Sequence, residues 1–206
     1  MKTADKFTLV RIILAPLFYV LYFLPTWINF NPIISVVIIV PLLIFAEFTD
    51  FLDGFFARRL NQVSDFGKLF DPFADVLLHL TTFFCFVVSG YMPAIIFLFI
   101  MYREFIMNFI RLLAIKEGIA IAARWGGKLK TVLYVITGFF YLIFECCERM
   151  GFDFLPLTTV GFSTVFFLSC VCLVAAYVSF IDYLVHFLPM MSKKSEKKVE
   201  KRRGRC

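Results

Sequence analysis

Charge is scarce in this chain: Asp, Glu, Lys and Arg make up 17% of its 206 residues, while hydrophobic residues make up 61%. Ordinary soluble domains carry about a quarter charged residues, so water is not the main solvent here. There is no internal repeat and no stretch with the composition of a separate soluble domain. Basic residues are nowhere interleaved with aromatics as on a nucleic-acid surface, so RNA and DNA are not expected partners. Also lacking is any cysteine pattern. Cys85, Cys146, Cys147, Cys170, Cys172 and Cys206 have neither zinc-site spacing nor the form of a secreted disulfide framework. Most lie in apolar sequence, where a thiol serves as a small hydrophobe, and Cys206 lacks the pattern for prenylation. No small-residue cleavage site follows Pro25 or Trp27, so the first apolar stretch is expected to be a retained span, not a signal peptide.

What the chain does have is apolar length. Mean hydropathy is +0.87, and Phe alone occurs 29 times. A membrane-crossing helix needs about 20 mostly apolar residues, and such stretches run over 8–27, 32–56, 68–90, 92–115, 127–147 and 157–188. The expected fold class is an all-α integral membrane protein with about six transmembrane helices. Asn31-Pro32, Tyr91-Met92-Pro93 and Phe154-Leu155-Pro156 punctuate the short connections. Lys2, Lys6, Arg11, Arg58, Arg59, Lys68, Lys116, Arg124, Lys128 and Lys130 fall on one side with the C-terminal basic run, against Arg149 alone on the other. The positive-inside rule then predicts both termini in the cytoplasm of a multi-pass cell-membrane protein, and the net charge of +6 reads as topology and attraction to anionic membrane lipids. Residues 1–191 read as one transmembrane domain. From Ser192 the sequence turns to Lys, Arg and Glu without apolar periodicity, and 192–206 is expected to be a basic, disordered cytoplasmic tail.

Against that background, four acids demand an explanation. Asp50, Asp53, Asp71 and Asp75 lie between strongly apolar flanks, and an ionised carboxylate in hydrocarbon costs several kcal/mol, roughly 3 on lenient scales. On helices, Asp50 with Asp53 and Asp71 with Asp75 each project from one face. If the two pairs converge, their mutual repulsion calls for one or two divalent cations, and oxygen-only donors favour magnesium or manganese. Gly54 and Ala57 keep the adjoining face small, and Arg58 supplies a cation suited to phosphate.

The run Asp50-x2-Asp53-Gly54-x2-Ala57-Arg58-x8-Gly67-x3-Asp71-x3-Asp75 resembles the full signature of the CDP-alcohol phosphotransferases. The resemblance implies an integral membrane enzyme that displaces CMP from a CDP-linked alcohol, usually CDP-diacylglycerol, through the hydroxyl of a second alcohol. It further implies a two-metal site with Asp50, Asp53 and Asp71 chiefly as ligands. Asp75 would complete the second metal site and take the proton of the attacking hydroxyl. Thr8 and Arg11, one helical turn apart, look like the Thr and Arg near the family's first helix and join Asp50, Gly54, Ala57, Arg58 and Gly67 as CDP-lipid-binding residues. Their plainer reading is a helix cap and a snorkelling cation. A short interfacial N-terminal helix and a homodimer are also implied.

Arg103-Glu104 with Arg111 after six intervening residues, then Gly127-Lys128-Leu129-Lys130-Thr131, resembles the phosphatidylglycerophosphate synthases of the family. The implied acceptor is sn-glycerol 3-phosphate, held by Arg103, Arg111, Lys128 and Lys130. Branches using inositol phosphate, phosphatidylglycerol or serine share the same core and remain alternatives. Arg103 has a plainer reading too, as an ion-pair partner of Glu104 or of an acid on another helix.

Many of these synthases place a lysine after the last acid, where this chain has Val76. That departure bears on substrate preference more than on catalysis. His79, one turn past Asp75, reads as a core or interface histidine, since hard metals prefer oxygen, and His186 reads as interfacial. Glu47 is expected either to orient Arg58 or a ligand carboxylate or to face a cytoplasmic cavity, and Asp182 either to pair with a base or to reach the interface. A cation transporter would also explain intramembrane acids, but not Gly54, Ala57, Arg58 and Gly67 beside them.

Overall fold

The structure is a computed structural model, and it describes residues 3–59, 65–116, 125–151 and 160–203. Within them, side chains are described except at 3–7, 50–59, 65–69, 160–163, 188 and 190–203. Among the described residues there are helices and no strands: α1 (Thr3–Ile28), α2 (Pro32–Arg59), α3 (Asp65–Val88), α4 (Ala94–Lys116), α5 (Trp125–Arg149) and α6 (Val160–Arg203). The first helix starts at Thr3 and continues unbroken into its span, so any interfacial segment there belongs to α1 itself.

Local chemistry sets the ends. Asn29 adopts φ 51° after α1, the left-handed conformation asparagine tolerates as a stop. Asn31 then caps α2, its Oδ1 accepting from Ile33 N at 2.9 Å and Ile34 N at 3.4 Å. Pro32 occupies the first helical position, where its missing N–H costs nothing. Gly90, at φ 84°, turns the chain after α3. Tyr91 N returns to Phe86 O at 2.8 Å, and Pro93 directly precedes α4. The proline-marked connection at 154–156 lies outside the described residues.

The helices alternate in direction. One end collects the starts of α1, α3 and α5, where Thr8 of α1 bonds Asp71 of α3. At the other, the end of α5 meets the end of α1 and the start of α2. Between them runs a core rich in aromatic side chains, including Phe18, Tyr22, Phe83, Phe86, Tyr134 and Tyr141, all 1% exposed or less. Cys85, Cys146 and Cys172 are buried and free. The outer surface is apolar as well: Ile13, Val37, Phe48, Phe105, Val132, Phe167 and Val178 are each more than half exposed. Such a surface matches lipid and not water.

Five helices are long and apolar enough to cross a membrane by length and composition: α1, α2, α3, α5 and α6. The sixth, α4, has comparable length but carries Arg103, Glu104, Arg111 and Lys116. It is integral to the bundle nonetheless, since Arg103 and Glu104 are each 3% exposed and paired to one another. The chain is therefore an all-helical, multi-pass membrane protein.

The basic sequence after Ser192 was expected to be disordered, yet α6 continues as helix to Arg203. Loss of apolar periodicity signals loss of a buried face, not loss of helix. Lys and Glu are good helix formers, and Lys193/Glu196 and Lys197/Glu200 stand at i,i+3. At about 1.5 Å per residue, α6 far exceeds the roughly 30 Å hydrocarbon core, so its basic end projects beyond the membrane.

The end away from Asp71 is clamped by Arg149. Its Nε donates to Glu145 Oε1 at 2.7 Å, Nη1 to Ser35 Oγ at 2.8 Å and Nη2 to Tyr22 O at 2.9 Å. Its guanidinium also stacks 4.6 Å from the Tyr22 ring centre. Nearby, Tyr91 donates to Glu148, and burial pushes the Tyr91 phenol well above its usual range. The two tryptophans mark opposite ends, Trp27 near the end of α1 and Trp125 at the start of α5, both exposed. Arg149→Ala would strand Glu145, which is 9% exposed. Removing one partner of a buried pair costs about 3 kcal/mol or more, so a lower midpoint is expected in detergent-solubilised thermal unfolding. An unchanged midpoint would show that the clamp adds nothing.

Candidate active site

The acids at Asp71 and Asp75 stand on one face of α3, and α1 supplies a partner for each. Thr8 Oγ1 donates to Asp71 Oδ1, and Arg11 Nη1 donates to Asp75 Oδ1 as an ion pair. The pairing follows from register: Thr8 and Arg11 are three apart on α1, Asp71 and Asp75 four apart on α3, so both pairs meet along one helix seam. Leu14 and Ala15 of α1, Ala46 of α2 and Leu78 of α3 pack beside that seam. Arg11 is 1% exposed, whereas the Asp75 side chain is 33% exposed. A buried guanidinium is tolerated because the carboxylate neutralises it, while the acid keeps an open edge.

Asp50, Asp53, Gly54, Ala57 and Arg58 lie on the helical backbone of α2, and Gly67 lies on that of α3. Their side chains fall outside the described residues. Among the described residues no three His, Cys, Asp or Glu side chains gather as a metal site. The donor chemistry of Asp71 and Asp75 nonetheless fits a hard divalent ion: two carboxylates, both incompletely buried, at one end of the bundle. His79 does not join them as a ligand. Its Nδ1 bonds the Asp75 backbone oxygen at 2.7 Å, and its Nε2 lies 3.6 Å from Glu47 Oε1, too long for a hydrogen bond. Glu47 thus faces His79. Val76, 8% exposed, belongs to the main core, so a lysine there would bring an ammonium into apolar packing.

The basic residues read as an acceptor pocket divide. Arg103 has a protein partner at each of its nitrogens: Nε on Ala176 O at 3.0 Å, Nη1 on Glu104 Oε1 at 2.8 Å and Nη2 on Ser179 Oγ at 3.3 Å. The plainer reading of Arg103 as an ion-pair partner of Glu104 thus describes its contacts. Lys130 meets the same Glu104 oxygen at 2.9 Å, and Tyr134 OH donates to it at 3.0 Å. Arg111 lines a cavity of about 240 Å³ with Phe70, Pro72, Phe73, Asn108, Leu112 and Ile115. Lys128 sits 5.4 Å over the Trp125 ring. On α6, Asp182 pairs with His186 one turn later at 3.4 Å.

Tyr134 is absent from the sequence reading, and Glu104 enters it only as a partner for Arg103. Glu104 had a usable signal, being an acid in a membrane-like stretch that must have partners. Tyr134 had none beyond its place one turn after Lys130.

The chain belongs to the CDP-alcohol phosphatidyltransferase family, whose model matches residues 1–187. It is 36% identical over 203 residues to the CDP-diacylglycerol–glycerol-3-phosphate 3-phosphatidyltransferase of Treponema pallidum, covering 94% of this chain and 92% of that protein. It is 35% identical over 139 residues to the protein of the same name from Bacillus subtilis, covering 64% and 72%. A Mycobacterium tuberculosis protein named as a probable phosphatidylglycerophosphate synthase is 32% identical over 142 residues, 68% of this chain and 65% of that protein. The family as a whole depends on divalent metal.

Thr8 and Arg11 touch the acids directly, so removing either should disturb them without unfolding the bundle. Loss of a group that orients a ligand carboxylate costs about 10- to 100-fold in activity or metal affinity. Thr8→Val and Arg11→Gln are each expected to lower turnover by that amount at unchanged membrane insertion. Wild-type turnover in both would mean that these pairs serve packing alone.

Proposed function

We propose that this protein transfers the phosphatidyl group of CDP-diacylglycerol to sn-glycerol 3-phosphate, giving phosphatidylglycerophosphate and CMP in phospholipid biosynthesis. The observation that carries the reading is the likeness, over nearly the whole of both chains, to a relative bearing that activity in its name. An acceptor hydroxyl oxygen bonds to the phosphorus that carries the diacylglycerol. The bond from that phosphorus to the bridging pyrophosphate oxygen breaks, and CMP leaves with the electron pair.

Asp50, Asp53, Asp71 and Asp75 would hold two divalent ions, magnesium or manganese. When bound, such ions neutralise the pyrophosphate and the charge that grows on departing CMP. Asp75 also takes the proton released by the hydroxyl. Thr8 and Arg11 act on the CDP-lipid through Asp71 and Asp75, which they hold. Gly54, Ala57 and Gly67, being small, suit close approach of the nucleotide, and Arg58 supplies a cation suited to its phosphates. Arg111, Lys128 and Lys130 serve the acceptor phosphate, with Arg103 behind them. The carboxylate end faces the cytoplasm together with both termini, in keeping with the distribution of Lys and Arg. The resemblance also supports a homodimer in the cell membrane, and a domain boundary near residue 191 where α6 leaves the apolar span.

Purified protein in detergent micelles should release CMP from CDP-diacylglycerol only with glycerol 3-phosphate and a divalent ion, and chelator should stop it. Inositol phosphate, serine and phosphatidylglycerol, supplied separately, should be poor acceptors, and efficient use of any one would reassign the branch. Asp71→Asn and Asp75→Asn are each expected to cut turnover at least about 100-fold, the equivalent of about 3 kcal/mol of transition-state stabilisation. Near-normal rates would refute the carboxylate assignment.

A further inference from the structure

Two cations and one anion share the centre of α4, α5 and α6. Arg103 and Glu104 are 3% exposed and Lys130 13%. Arg103, Lys130 and Tyr134 all donate to a single oxygen, Glu104 Oε1. That carboxylate balances only half of the positive charge beside it. In a medium of low dielectric the remainder favours a further anion.

The three donors are not equivalent. Each Arg103 nitrogen already has a protein partner, two of them on α6. Arg103 is therefore committed to joining α4 and α6 and to fixing Glu104. Lys130 differs: Arg103 is tied at all three of its nitrogens, whereas the Lys130 ammonium, on a flexible stem, meets Glu104 through one of its three N–H donors and can turn the other two. Its Nζ also lies 4.7 Å from the Tyr134 ring centre, which restricts the swing of a long side chain. Tyr134 in turn packs edge-on against His79 at 5.9 Å, and His79 is bonded to the Asp75 backbone. The cluster thus stands one side-chain layer away from the carboxylate seam.

We infer that Glu104 is a positioning residue for the acceptor: it holds Lys130, between Arg103 and Tyr134, so that the remaining ammonium donors meet the acceptor's phosphate. This rests on the reading of the acceptor as a phosphorylated alcohol. Neutralising one cation of the cluster and leaving the other in excess makes a seat for a dianion without the cost of two bare cations in hydrocarbon. A neutral acceptor would leave the excess charge unanswered, so the same carboxylate contributes to choice of acceptor.

The test compares wild type, Glu104→Gln, Tyr134→Phe, Lys130→Met and the Glu104→Gln/Lys130→Met pair in one CMP-release assay. Loss of a hydrogen bond to a charged group is worth about ten- to a hundredfold. Glu104→Gln should raise the KM for glycerol 3-phosphate by that factor, with kcat within about threefold and the KM for CDP-diacylglycerol unchanged. Tyr134→Phe should move the same constant in the same direction by less, and it decides the matter if Glu104→Gln does not fold. The double variant should be no worse than Lys130→Met alone, because both changes remove one interaction. An unaltered acceptor KM, a loss confined to kcat, or additive effects would overturn the role of Glu104. Wild-type turnover of glycerol 3-phosphate separates the two levels. Its absence removes the parent reading and this one with it, whereas normal wild-type turnover with unresponsive variants removes the inference alone.

Discussion

An ion held between apolar helices must find its counter-charge inside the bundle, and this requirement organises the molecule. Arg11 lies against Asp75, Arg103 and Lys130 against Glu104, and Arg149 against Glu145. Each pairing crosses helices or anchors a contact that does. Arg11 joins α1 to α3, the Glu104 cluster joins α4, α5 and α6, and Arg149 joins α5 to α1 and α2. In hydrocarbon the hydrophobic effect between helices is weak, and packing with polar contacts must specify which faces meet. The aromatic core fills the volume, and the ion pairs fix the register.

The pairings also separate support from chemistry. At the clamp end the bonds of Arg149 are spent on backbone and on buried side chains, so that end is closed. At the carboxylate end Asp75 retains an open edge although its partner is sealed. A site that must admit a charged headgroup and still hold its shape needs this asymmetry, with rigid cations behind the acids and accessible oxygen in front.

The sequence announced much of this, unevenly. Helix positions were legible because apolar runs of spanning length are broken by Asn-Pro and Pro near turns, and Asn31 and Gly90 act as those signals suggest. The acids were legible because four of them in apolar sequence are too costly to be accidental. The partners of Thr8 and Arg11 were not, since a polar residue on one helix does not say which neighbour it will face. Arg103 showed the opposite difficulty. Its spacing resembled a phosphate-binding pattern, but local pairing with Glu104 and α6 occupies it. Charge composition alone also could not tell a disordered tail from the projecting helical end of α6, because burial and helicity are separate properties.

The tryptophans at opposite ends carry an optical consequence. Trp27 closes α1 beside the Arg149 clamp, and Trp125 opens α5 at the other end, both with much of the ring uncovered. Indole emission depends on the wetness of its surroundings, and a quencher confined to water reaches only the side on which it is added. In sealed vesicles the native chain therefore holds one light source per leaflet, and replacing either ring by phenylalanine leaves the other as a built-in reporter of sidedness.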